Sequence, residues 1–345
     1  MRTALLHYWL TNVRGGEKVL AAIGEMLPEA DIFTHVFGKG MRDEGRGMRW
    51  KGHLVTESFI ARLPFGRRKP QAYLPLMPMA SRSLGLDGYD LIVSSESGPI
   101  KGIRKPKGAR HVCYCHTPMR YLWDMHDEYY RSAGLAGKLS MKLFTSYLRR
   151  EDLKSAESVD EFVANSAFVA ERIKRIYGRD SVVVHPPVDV EFFSAAERTS
   201  GGYYLFVGAP VAYKRLDLAR AACAKMGREL VVAGGGIATD EELRGLYAGA
   251  KALLFPGLED FGIVPVEAQA AGCPVIAYGA GGALETVVEG RTGMFFKEQT
   301  VESLCAAIEE FESREIAAVA CRENARRFAK SVFIDKMNGL LSVGA

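Results

Sequence analysis

Two glutamates eight positions apart, Glu259 and Glu267, have the residue type and spacing to bind a ligand that carries hydroxyl groups. The loop between them turns at Gly262 and is predicted to enter a helix at Pro265. Proline suits the first position of a helix because it has no N–H to lose there. The open helix N-terminus offers unpaired N–H groups to an anion. Two carboxylates on either side of a phosphate-sized set of donors favour a nucleotide sugar as the ligand.

The elements around this loop allow a simpler interpretation as well. Residues 252–255 are predicted to form a short buried strand, and residues 266–271 are predicted to be helical. An ordinary strand, loop and helix would also place acidic residues near the helix start, because the helix dipole favours them there. The twelve residues 257–268 alone therefore leave both interpretations open.

The bulk properties predict a globular protein of two domains. A chain of 345 residues is long for one core, and 48% hydrophobic and 25% charged residues are typical of globular proteins. The net charge of +4 divides unevenly: residues 1–190 hold 29 Lys and Arg against 21 Asp and Glu, and the remainder holds 16 against 20. A basic first half suggests an anionic partner or surface for that half. The basic residues are dispersed and match no recognition motif, so nucleic acid is not expected as a partner.

Cysteine spacing and hydropathy bear on metal binding and on location. The six cysteines match no disulfide framework and lie in apolar segments, which favours buried thiols in a reducing cytoplasm. Residues 113–116, Cys-Tyr-Cys-His, have no second ligand cluster, so no metal site is expected. No apolar run approaches the roughly 18 residues needed to span a bilayer. The short apolar start of the chain leads into a glycine loop, which does not resemble a signal peptide.

Three candidate binding positions occur in the first half. Gly15 and Gly16 follow a predicted strand (residues 2–8) and open a helix, as in phosphate-binding α/β loops. A tight turn that needs glycine is the alternative for this pair. His116 follows the predicted strand 111–115, and ligands of open α/β sheets bind beyond the carboxyl ends of strands. A structural role for this histidine is the alternative.

Two basic clusters are further candidates. Lys214 and Arg215 lie between a predicted strand (residues 203–208) and a helix, where they could reach a diphosphate or merely be solvated. Residues 58–82 alternate basic and apolar side chains and include Arg67, Arg68 and Lys69. This composition suits a peripheral membrane contact, and the alternative is a core-packing helix pair with a solvated basic face.

The order of the predicted elements indicates the fold class. Strands alternate with helices twice over, and Pro186 and Pro187 form a linker between the two series. This pattern predicts an α/β protein with two doubly wound domains that face a cleft.

Five motifs occur in order along the chain. They are HTPMRYLWD at 116–124, ANSAFVA at 164–170, HPPVD at 185–189, YKRLDL at 213–218 and EDFGIVPVEAQAAGCPVIA at 259–277. With these motifs the chain resembles retaining family-4 glycosyltransferases of the GT-B fold, in the mannosyltransferase-like branch that builds bacterial lipopolysaccharide and exopolysaccharide. The resemblance implies an N-terminal Rossmann-like acceptor-side domain (1–190), a nucleotide-sugar-binding domain (191–325) and a C-terminal helix (326–345) that crosses back to the first.

The resemblance also implies a role for each matching residue. Glu259 would contact the transferred sugar, Glu267 would hold the ribose hydroxyls and His116 would contact a far hydroxyl of the sugar. The implied diphosphate ligands are Lys214, Gly15, Gly16 and the backbone amides around Phe261, Gly262 and Ile263, with Arg215 as a further candidate. No metal and no cofactor would be required besides the nucleotide-sugar donor, with GDP-mannose favoured and a UDP-sugar possible.

Two departures from the family pattern bear on activity. Ala209 stands where relatives usually have an arginine that binds phosphate, a contact worth on the order of 2 kcal/mol. The segment between Gly235 and Thr239 is short, which predicts a shortened second domain with about five strands. We therefore expect a metal-independent, retaining hexosyltransferase that acts on a lipid-linked or glycan acceptor, peripherally bound at the cytoplasmic face of the membrane. A catalytically impaired relative that serves as a scaffold in polysaccharide assembly is the alternative.

Overall fold

The computed structural model describes residues 1–43, 48–199, 201–234 and 239–342, and the elements below lie in these ranges. Two compact units divide the chain. Unit 1 comprises Met1–Val184 together with the segment that begins at Met337, and unit 2 comprises His185–Lys336. Most of the short segment between Gly235 and Thr239 lies outside the described residues.

Unit 1 is built on one predominantly parallel sheet. Its strands are β1 (Thr3–His7), β2 (Asp31–Thr34), β3 (Arg49–Trp50), β4 (His53–Glu57), β5 (Leu91–Glu96), β6 (Arg110–Cys115), β7 (Glu161–Ala164) and β8 (Ser181–Val183). In the described ranges they form eight strands in the order β3-β4-β2-β1-β5-β6-β7-β8. Only β3 and β4, in that part of the chain, pair antiparallel. The sheet winds outward on both sides of β1, which is the doubly wound arrangement.

The helices of unit 1 connect these parallel strands. They are α1 (Gly15–Met26), α2 (Met77–Arg82), α3 (His126–Ser132), α4 (Leu135–Ala156) and α5 (Ala167–Tyr177), with 3₁₀ turns at Lys39–Met41, Phe59–Arg62 and Pro70–Leu76. Helix α5 shows how the sequence sets its limits. The Ser166 hydroxyl accepts a hydrogen bond from the Val169 N–H at the start, and Gly178 ends the helix in the left-handed conformation.

A buried ion cluster fixes α4 against the sheet of unit 1. The Lys101 side chain is fully buried, and its Nζ lies 2.6 Å from Asp152 Oδ1 on α4 and 2.9 Å from Glu96 Oε1 on β5. The Trp123 indole donates a hydrogen bond to the other Asp152 oxygen at 2.7 Å. Burial disfavours the charge on Lys101, but the two carboxylates outweigh it and hold the Lys101 pKa well above its ordinary value. Lys101 therefore remains an ammonium with a carboxylate on either side, whereas burial raises the pKa of Glu96 above its ordinary value even beside Lys101.

Unit 2 is a second, smaller parallel α/β unit. Its strands, β9 (Tyr203–Val207), β10 (Glu229–Ala233), β11 (Leu253–Phe255), β12 (Val275–Tyr278) and β13 (Gly293–Phe296), form a parallel sheet. The strand order is β10-β9-β11-β12-β13. Its helices are α6 (Val190–Ser194), α7 (Leu216–Met226), α8 (Asp240–Gly249), α9 (Ile263–Ala270), α10 (Ala283–Thr286), α11 (Val301–Glu312) and α12 (Ala318–Ala325), with 3₁₀ turns at Ala212–Lys214 and Arg326–Phe328. The last helix, α13 (Lys330–Ser342), begins in unit 2, and its residues from Met337 onward belong to unit 1.

Both faces of the second sheet are covered by helices. Tyr204 and Phe206 on β9 pack into the core that α7 and α11 complete, whereas Leu205 and Val207 pack into the core that α8 and α9 complete. Successive side chains of a strand point to opposite faces, so a strand buried on both faces is apolar throughout. The prediction of two Rossmann-like α/β domains is confirmed, and the second sheet has five strands in the described ranges.

The β3–β4 hairpin and the long helix α4 of unit 1, like the shorter α3 before it, were not predicted from the sequence. The β3–β4 hairpin turns at Lys51 and Gly52, which both have positive φ (49° and 89°), as a two-residue hairpin turn requires. Helix α4 has 22 residues. In the 58–82 segment the structure has short 3₁₀ turns and the six-residue α2 in place of the helix pair considered as the alternative to a membrane contact.

Candidate active site

The carboxyl edge of the sheet in unit 2 carries a close ion pair. Lys214 follows β9, Glu259 follows β11, and parallel strands end at the same edge. The Lys214 Nζ lies 2.6 Å from Glu259 Oε1. The two side chains are 16% and 18% exposed, so each keeps some contact with solvent. The structure thus brings together a cation and a carboxylate that the sequence analysis selected independently.

Gly257 allows the two loops that hold this pair to approach each other. A Cβ atom at Gly257 would lie 2.8 Å from the Tyr213 carbonyl oxygen and 2.9 Å from the Lys214 Cα. Both contacts are to main-chain atoms that cannot rotate away, so glycine is required for this packing. The position of Lys214 relative to Glu259 is therefore set by the backbone rather than by side-chain rotamers alone.

Helix α9 begins two residues earlier than predicted. Its N-cap is Gly262, which has φ of 91°, and its first residue is Ile263, so Pro265 occupies the third helical position. The prediction that the helix enters at Pro265 was wrong. Proline is tolerated there because the first turn of a helix has no internal acceptor for its N–H groups. The amides that precede Pro265 still form the open end of the helix.

The side chain of Phe261 anchors the loop before α9. Its ring stacks on the His185 imidazole at a centroid distance of 5.4 Å and packs edge-on against Phe328 at 5.5 Å. A Cβ atom at Gly282 would overlap the backbone of Phe261, and the Gly282 N–H donates to the Glu259 carbonyl at 2.9 Å. The loop that bears Glu259 is therefore held by a buried ring on one side and by a glycine loop on the other.

Glu267 lies on α9 and is nearly buried, with 7% of the residue exposed. The fully buried Tyr247 donates its hydroxyl to Glu267 Oε2 at 3.0 Å. Burial, and then the neighbouring Glu267 carboxylate, raise the pKa of Tyr247 well above its ordinary value. Tyr247 therefore remains a phenol that orients the carboxylate, a partner that the sequence analysis did not identify.

Arg215 is directed toward its own helix. It adopts a left-handed backbone conformation (φ 54°) at the start of α7, and its Nε lies 3.2 Å from Asp217 Oδ1. The structure thus places this guanidinium in an ion pair with Asp217, while Lys214 next to it pairs with Glu259.

A second cluster lies at the carboxyl edge of the sheet in unit 1. The His116 Nε2 is 2.9 Å from the Ser95 hydroxyl, and a Cβ atom at Gly16 would lie 3.5 Å from the same nitrogen. Gly15 is the first residue of α1. Burial, and then the neighbouring His7, lower the pKa of His116 to about 3, so its imidazole is neutral at physiological pH.

His7 and Glu17 complete this second cluster. The His7 Nδ1 lies 2.7 Å from the Ser95 carbonyl oxygen, and its Nε2 lies 3.4 Å from Glu17 Oε1. Burial raises the pKa of Glu17, but its contacts with His7 outweigh this, and the net shift is downward. The sequence analysis missed both residues because His7 lies inside a buried strand and Glu17 resembles an ordinary acidic residue in a first helical turn.

The basic residues of the 58–82 segment differ in their contacts. The Arg67 guanidinium forms a two-pronged ion pair with Glu57 and donates to the Phe37 carbonyl at 3.0 Å. Arg68 and Lys69 are exposed. Arg67 therefore stabilises this part of unit 1, which agrees with the structural alternative for that residue.

The described residues also bear on metal binding and on membrane insertion. In the ranges that the structure describes, no group of three or more His, Cys, Asp and Glu side chains is arranged to hold a metal ion. Across the same ranges, no helix combines the length and apolar character needed to cross a bilayer. All six cysteines are buried free thiols.

Comparison with known protein families gives two matches that together cover most of the chain. The model of Glycosyltransferase Family 4 matches residues 13–192, and the model of Glycosyl transferases group 1 matches residues 231–328. The first match alone covers more than half of the chain. It contains His116 and Gly16, and the second contains Glu259 and Glu267.

One curated relative is D-inositol 3-phosphate glycosyltransferase of Mycolicibacterium smegmatis. It is 27% identical over 226 residues, which cover 52% of this chain and 52% of that protein. The chain thus spans about half the length of the curated relatives it matches.

Solved structures share the fold over the whole chain. Anabaena Alr3699/HepE in complex with UDP-glucose superposes with a TM-score of 0.70 at 17% identity, over 99% of this chain and 100% of that one. WaaG, a glycosyltransferase involved in lipopolysaccharide biosynthesis, superposes with a TM-score of 0.64 at 14% identity, over 99% and 100%. At these identities the similarity concerns the fold alone.

Proposed function

The chain belongs to glycosyltransferase family 4, and from that premise we propose that it transfers a hexose, with retention, from a nucleotide diphosphate sugar to a lipid-linked or glycan acceptor. The observation that carries the proposal is the Lys214–Glu259 pair at the carboxyl edge of the unit 2 sheet. Ligands of parallel α/β sheets bind at this edge. The start of α9 lies directly after the loop that bears Glu259.

Each residue of unit 2 receives a role that its geometry permits. The Lys214 ammonium neutralises the departing diphosphate, and the amides at Gly262 and Ile263 bind its oxygens, as open helix N-termini do. Glu259 stabilises positive charge at the anomeric carbon. Glu267, oriented by the Tyr247 hydroxyl, accepts hydrogen bonds from the ribose.

The proposed reaction exchanges one bond for another at the anomeric carbon. The bond to the diphosphate oxygen breaks, the acceptor hydroxyl oxygen forms the new glycosidic bond on the same face, and the hydroxyl proton passes to the departing diphosphate. Donors placed in advance around that developing charge lower the barrier, because they need no reorganisation when it forms. The path is oxocarbenium-like and uses Lys214 and backbone amides to balance the leaving-group charge.

In unit 1 we propose the same roles for His116, Gly15 and Gly16 as the family resemblance implies. His116, which is neutral and hydrogen-bonded to Ser95, contacts a hydroxyl of the sugar. Gly15 and Gly16, at the start of α1, contact phosphate. The basic first half suits an anionic surface. We place the protein on the cytoplasmic face of the membrane as a peripheral protein.

The donor and acceptor are proposed by class. GDP-mannose is favoured by the motif resemblance, whereas the UDP-glucose complex of HepE supports a UDP-sugar. The role of WaaG in lipopolysaccharide biosynthesis supports a cell-surface polysaccharide as the product.

A donor screen tests the proposed transfer. GDP-mannose and a panel of UDP-hexoses are incubated with lipid-linked acceptors, and products are detected by mass spectrometry, with NMR of the product to assign the anomeric configuration. We expect a hexosylated product from the wild type and a large loss in Glu259→Ala and Lys214→Ala. Wild-type rates in both variants would refute the site assignment.

Ala209 favours a second candidate function, a scaffold subunit of a polysaccharide assembly. It stands where relatives usually have a phosphate-binding arginine, and Arg215, the nearby cation, pairs with Asp217. Calorimetric titration with GDP and UDP separates the two candidates. Binding of either nucleotide supports the transferase, and binding of neither supports the scaffold.

A further inference from the structure

Helix α4 of unit 1 exposes a row of leucines. Leu135, Leu139 and Leu143 are 89%, 59% and 62% exposed, and Leu153 near the end of the helix is 41% exposed. Residues four apart lie on one side of a helix, so the first three form a continuous apolar stripe. Leu153 is eighteen positions after Leu135, which is five full turns, so it lies on the same side. We call these four residues the leucine face of α4.

The charges of α4 are divided between its two sides. Both of its acidic residues face the rest of unit 1: Glu151 pairs with Arg82, and Asp152 belongs to the buried cluster with Lys101. Its basic residues, none of them fully buried, are Lys138, Lys142, Arg149, Arg150 and Lys154. The neighbouring α3 adds Asp127, Glu128 and Arg131, so the two helices together hold six basic and four acidic residues, a net charge of +2. The exposed side of α4 therefore combines apolar and basic side chains, and the two carboxylates of the helix lie on the side that packs against unit 1.

We propose that α4 docks on the surface of an anionic lipid bilayer, with the leucine face in the interface and the basic residues on lipid phosphates. A helix of this kind binds through buried apolar area together with attraction to anionic lipid. Long lysine and arginine side chains extend their charges to the headgroups while their stems cover apolar surface. This inference rests on the proposed function in one respect, because a lipid-linked acceptor gives the protein a reason to dock on the bilayer.

An open groove on the C-terminal half of α4 supports a lipid over a protein partner. Its volume is about 640 Å³, and its lining includes Trp123, Arg149, Arg150, Leu153 and Lys154 together with one acidic residue, Glu157. The Arg149 guanidinium lies over the Trp123 ring at 5.4 Å. Cations beside an apolar floor match a phosphate headgroup and the start of its acyl chains, and tryptophan is favoured at membrane interfaces.

Vesicle binding by the full chain tests the proposal. Sedimentation is measured with phosphatidylcholine vesicles, with and without phosphatidylglycerol, for the wild type, Leu139→Gln with Leu143→Gln, and Lys138→Glu with Lys142→Glu. We expect the wild type to prefer anionic vesicles, and both double variants to bind them at least about tenfold more weakly. Raising the salt concentration should weaken the wild type further.

Two matched control variants make the same kinds of substitution at exposed positions outside α4. Val182→Gln with Val319→Gln replaces two exposed apolar residues, and Lys39→Glu with Lys107→Glu makes the same charge change on exposed lysines of unit 1. We expect both controls to bind anionic vesicles within about twofold of the wild type, a change too small to reflect a direct lipid contact. Arg68→Ala with Lys69→Ala measures the separate contribution of the 58–82 segment.

Three outcomes overturn the proposal. The first is a wild type that does not bind anionic vesicles, and the second is an equal loss in the control variants. The third is a lipid-free wild type that sediments as a dimer while the leucine variant sediments as a monomer, which would show that the face joins two copies of the chain. Thermal melting confirms that each variant is folded. We expect nucleotide binding, measured by calorimetry with GDP and UDP, to be unchanged by the α4 substitutions. Failure of the docking surface and failure of the donor site are therefore distinguishable.

Discussion

The Lys214 ammonium and the Glu259 carboxylate, separated by 45 positions in the chain, lie 2.6 Å apart at the carboxyl edge of the second sheet. Both side chains are mostly buried, at 16% and 18% exposed, and an ion pair of this kind is weak evidence for stability because the cost of desolvation offsets the attraction. A diphosphate at this edge would compete with Glu259 for the ammonium. If the Lys214 ammonium pairs with the diphosphate, the Glu259 carboxylate is free to contact the sugar.

Replacing Lys214 by Met should lower kcat/KM by about 100-fold or more, because a preorganised contact to the leaving group is removed. Steady-state kinetics with the donor found in the screen measure the loss. The nucleotide affinity should fall as well, because the diphosphate loses a charge-assisted contact.

A matched control for this lysine is Lys225→Met, which removes an exposed lysine paired with Glu302 on the surface of unit 2. Activity close to that of the wild type is expected for the control. Equal losses in both variants would show that the effect is a general one of charge or folding.

Replacing Glu267 by Gln should selectively weaken recognition of the ribose. The wild-type enzyme should bind a nucleoside diphosphate more tightly than its 2′,3′-dideoxy analogue, because the carboxylate accepts hydrogen bonds from both hydroxyls. In Glu267→Gln this preference should shrink by about tenfold, in keeping with charge-assisted hydrogen bonds worth about 1.5–3 kcal/mol. Calorimetry with the two nucleotides measures the ratio.

Tyr247→Phe refines the ribose test. The substitution removes the hydroxyl that lies 3.0 Å from Glu267 Oε2 but keeps the carboxylate. A smaller loss of ribose preference is expected than in Glu267→Gln. An unchanged preference in Glu267→Gln itself would place the ribose elsewhere.

Replacing Lys101 by Met should destabilise unit 1 by about 3–5 kcal/mol, because Asp152 and Glu96 are left buried without their counter-ion. Urea unfolding followed by tryptophan fluorescence measures this, since Trp9, Trp50 and Trp123 all lie in unit 1. Lys105→Met is the control: its partner, Asp160, is 44% exposed at the side chain, and a change of at most about 1 kcal/mol is expected. Similar losses in the two variants would contradict the interpretation of the buried cluster.

The fold could be predicted because the parallel strands are apolar runs. Strand β1, for example, is buried at every position, and loops with glycine or proline separate such runs from helices. The hairpin at Lys51 and Gly52 was missed because β3 has only two residues and Lys-Gly is not one of the Asn-Gly or Asp-Gly pairs that usually indicate such a turn. Helix α4 was missed because its leucines face outward, whereas a helix is usually recognised by the apolar face that it buries.

The candidate site was predicted only in part, for a physical reason. Sequence motifs select Lys214 and Glu259 separately, but their contact depends on the backbone approach that Gly257 allows. Whether Arg215 would turn to Asp217 depends on a left-handed backbone that sequence does not reveal. A contact such as the one between Lys214 and Glu259 forms only when the unit is packed, so local sequence patterns cannot predict it.

Three buried histidines should make unit 1 sensitive to acid. Burial lowers the pKa of His35 and of His111 to about 4 and that of His116 to about 3. In the unfolded chain each would take up a proton near pH 6.5. Between about pH 6.5 and 4 the unfolded state therefore binds more protons than the folded one, and stability falls as the pH falls.

The expected size of this acid effect is about 2 kcal/mol for each histidine between pH 7.5 and pH 5, since one pKa unit corresponds to about 1.4 kcal/mol. Urea unfolding at the two pH values, followed by tryptophan fluorescence, measures it. His111→Gln keeps a group that can bond to the Ser94 hydroxyl, 2.9 Å from the His111 Nε2, but cannot take up a proton. Between pH 7.5 and pH 5 the free energy of unfolding should therefore fall by about 2 kcal/mol less in this variant than in the wild type. The carboxylates contribute equally in the two proteins, so their effect drops out of this difference. An identical pH dependence in both proteins would show that His111 is protonated in the folded state as readily as in the unfolded state.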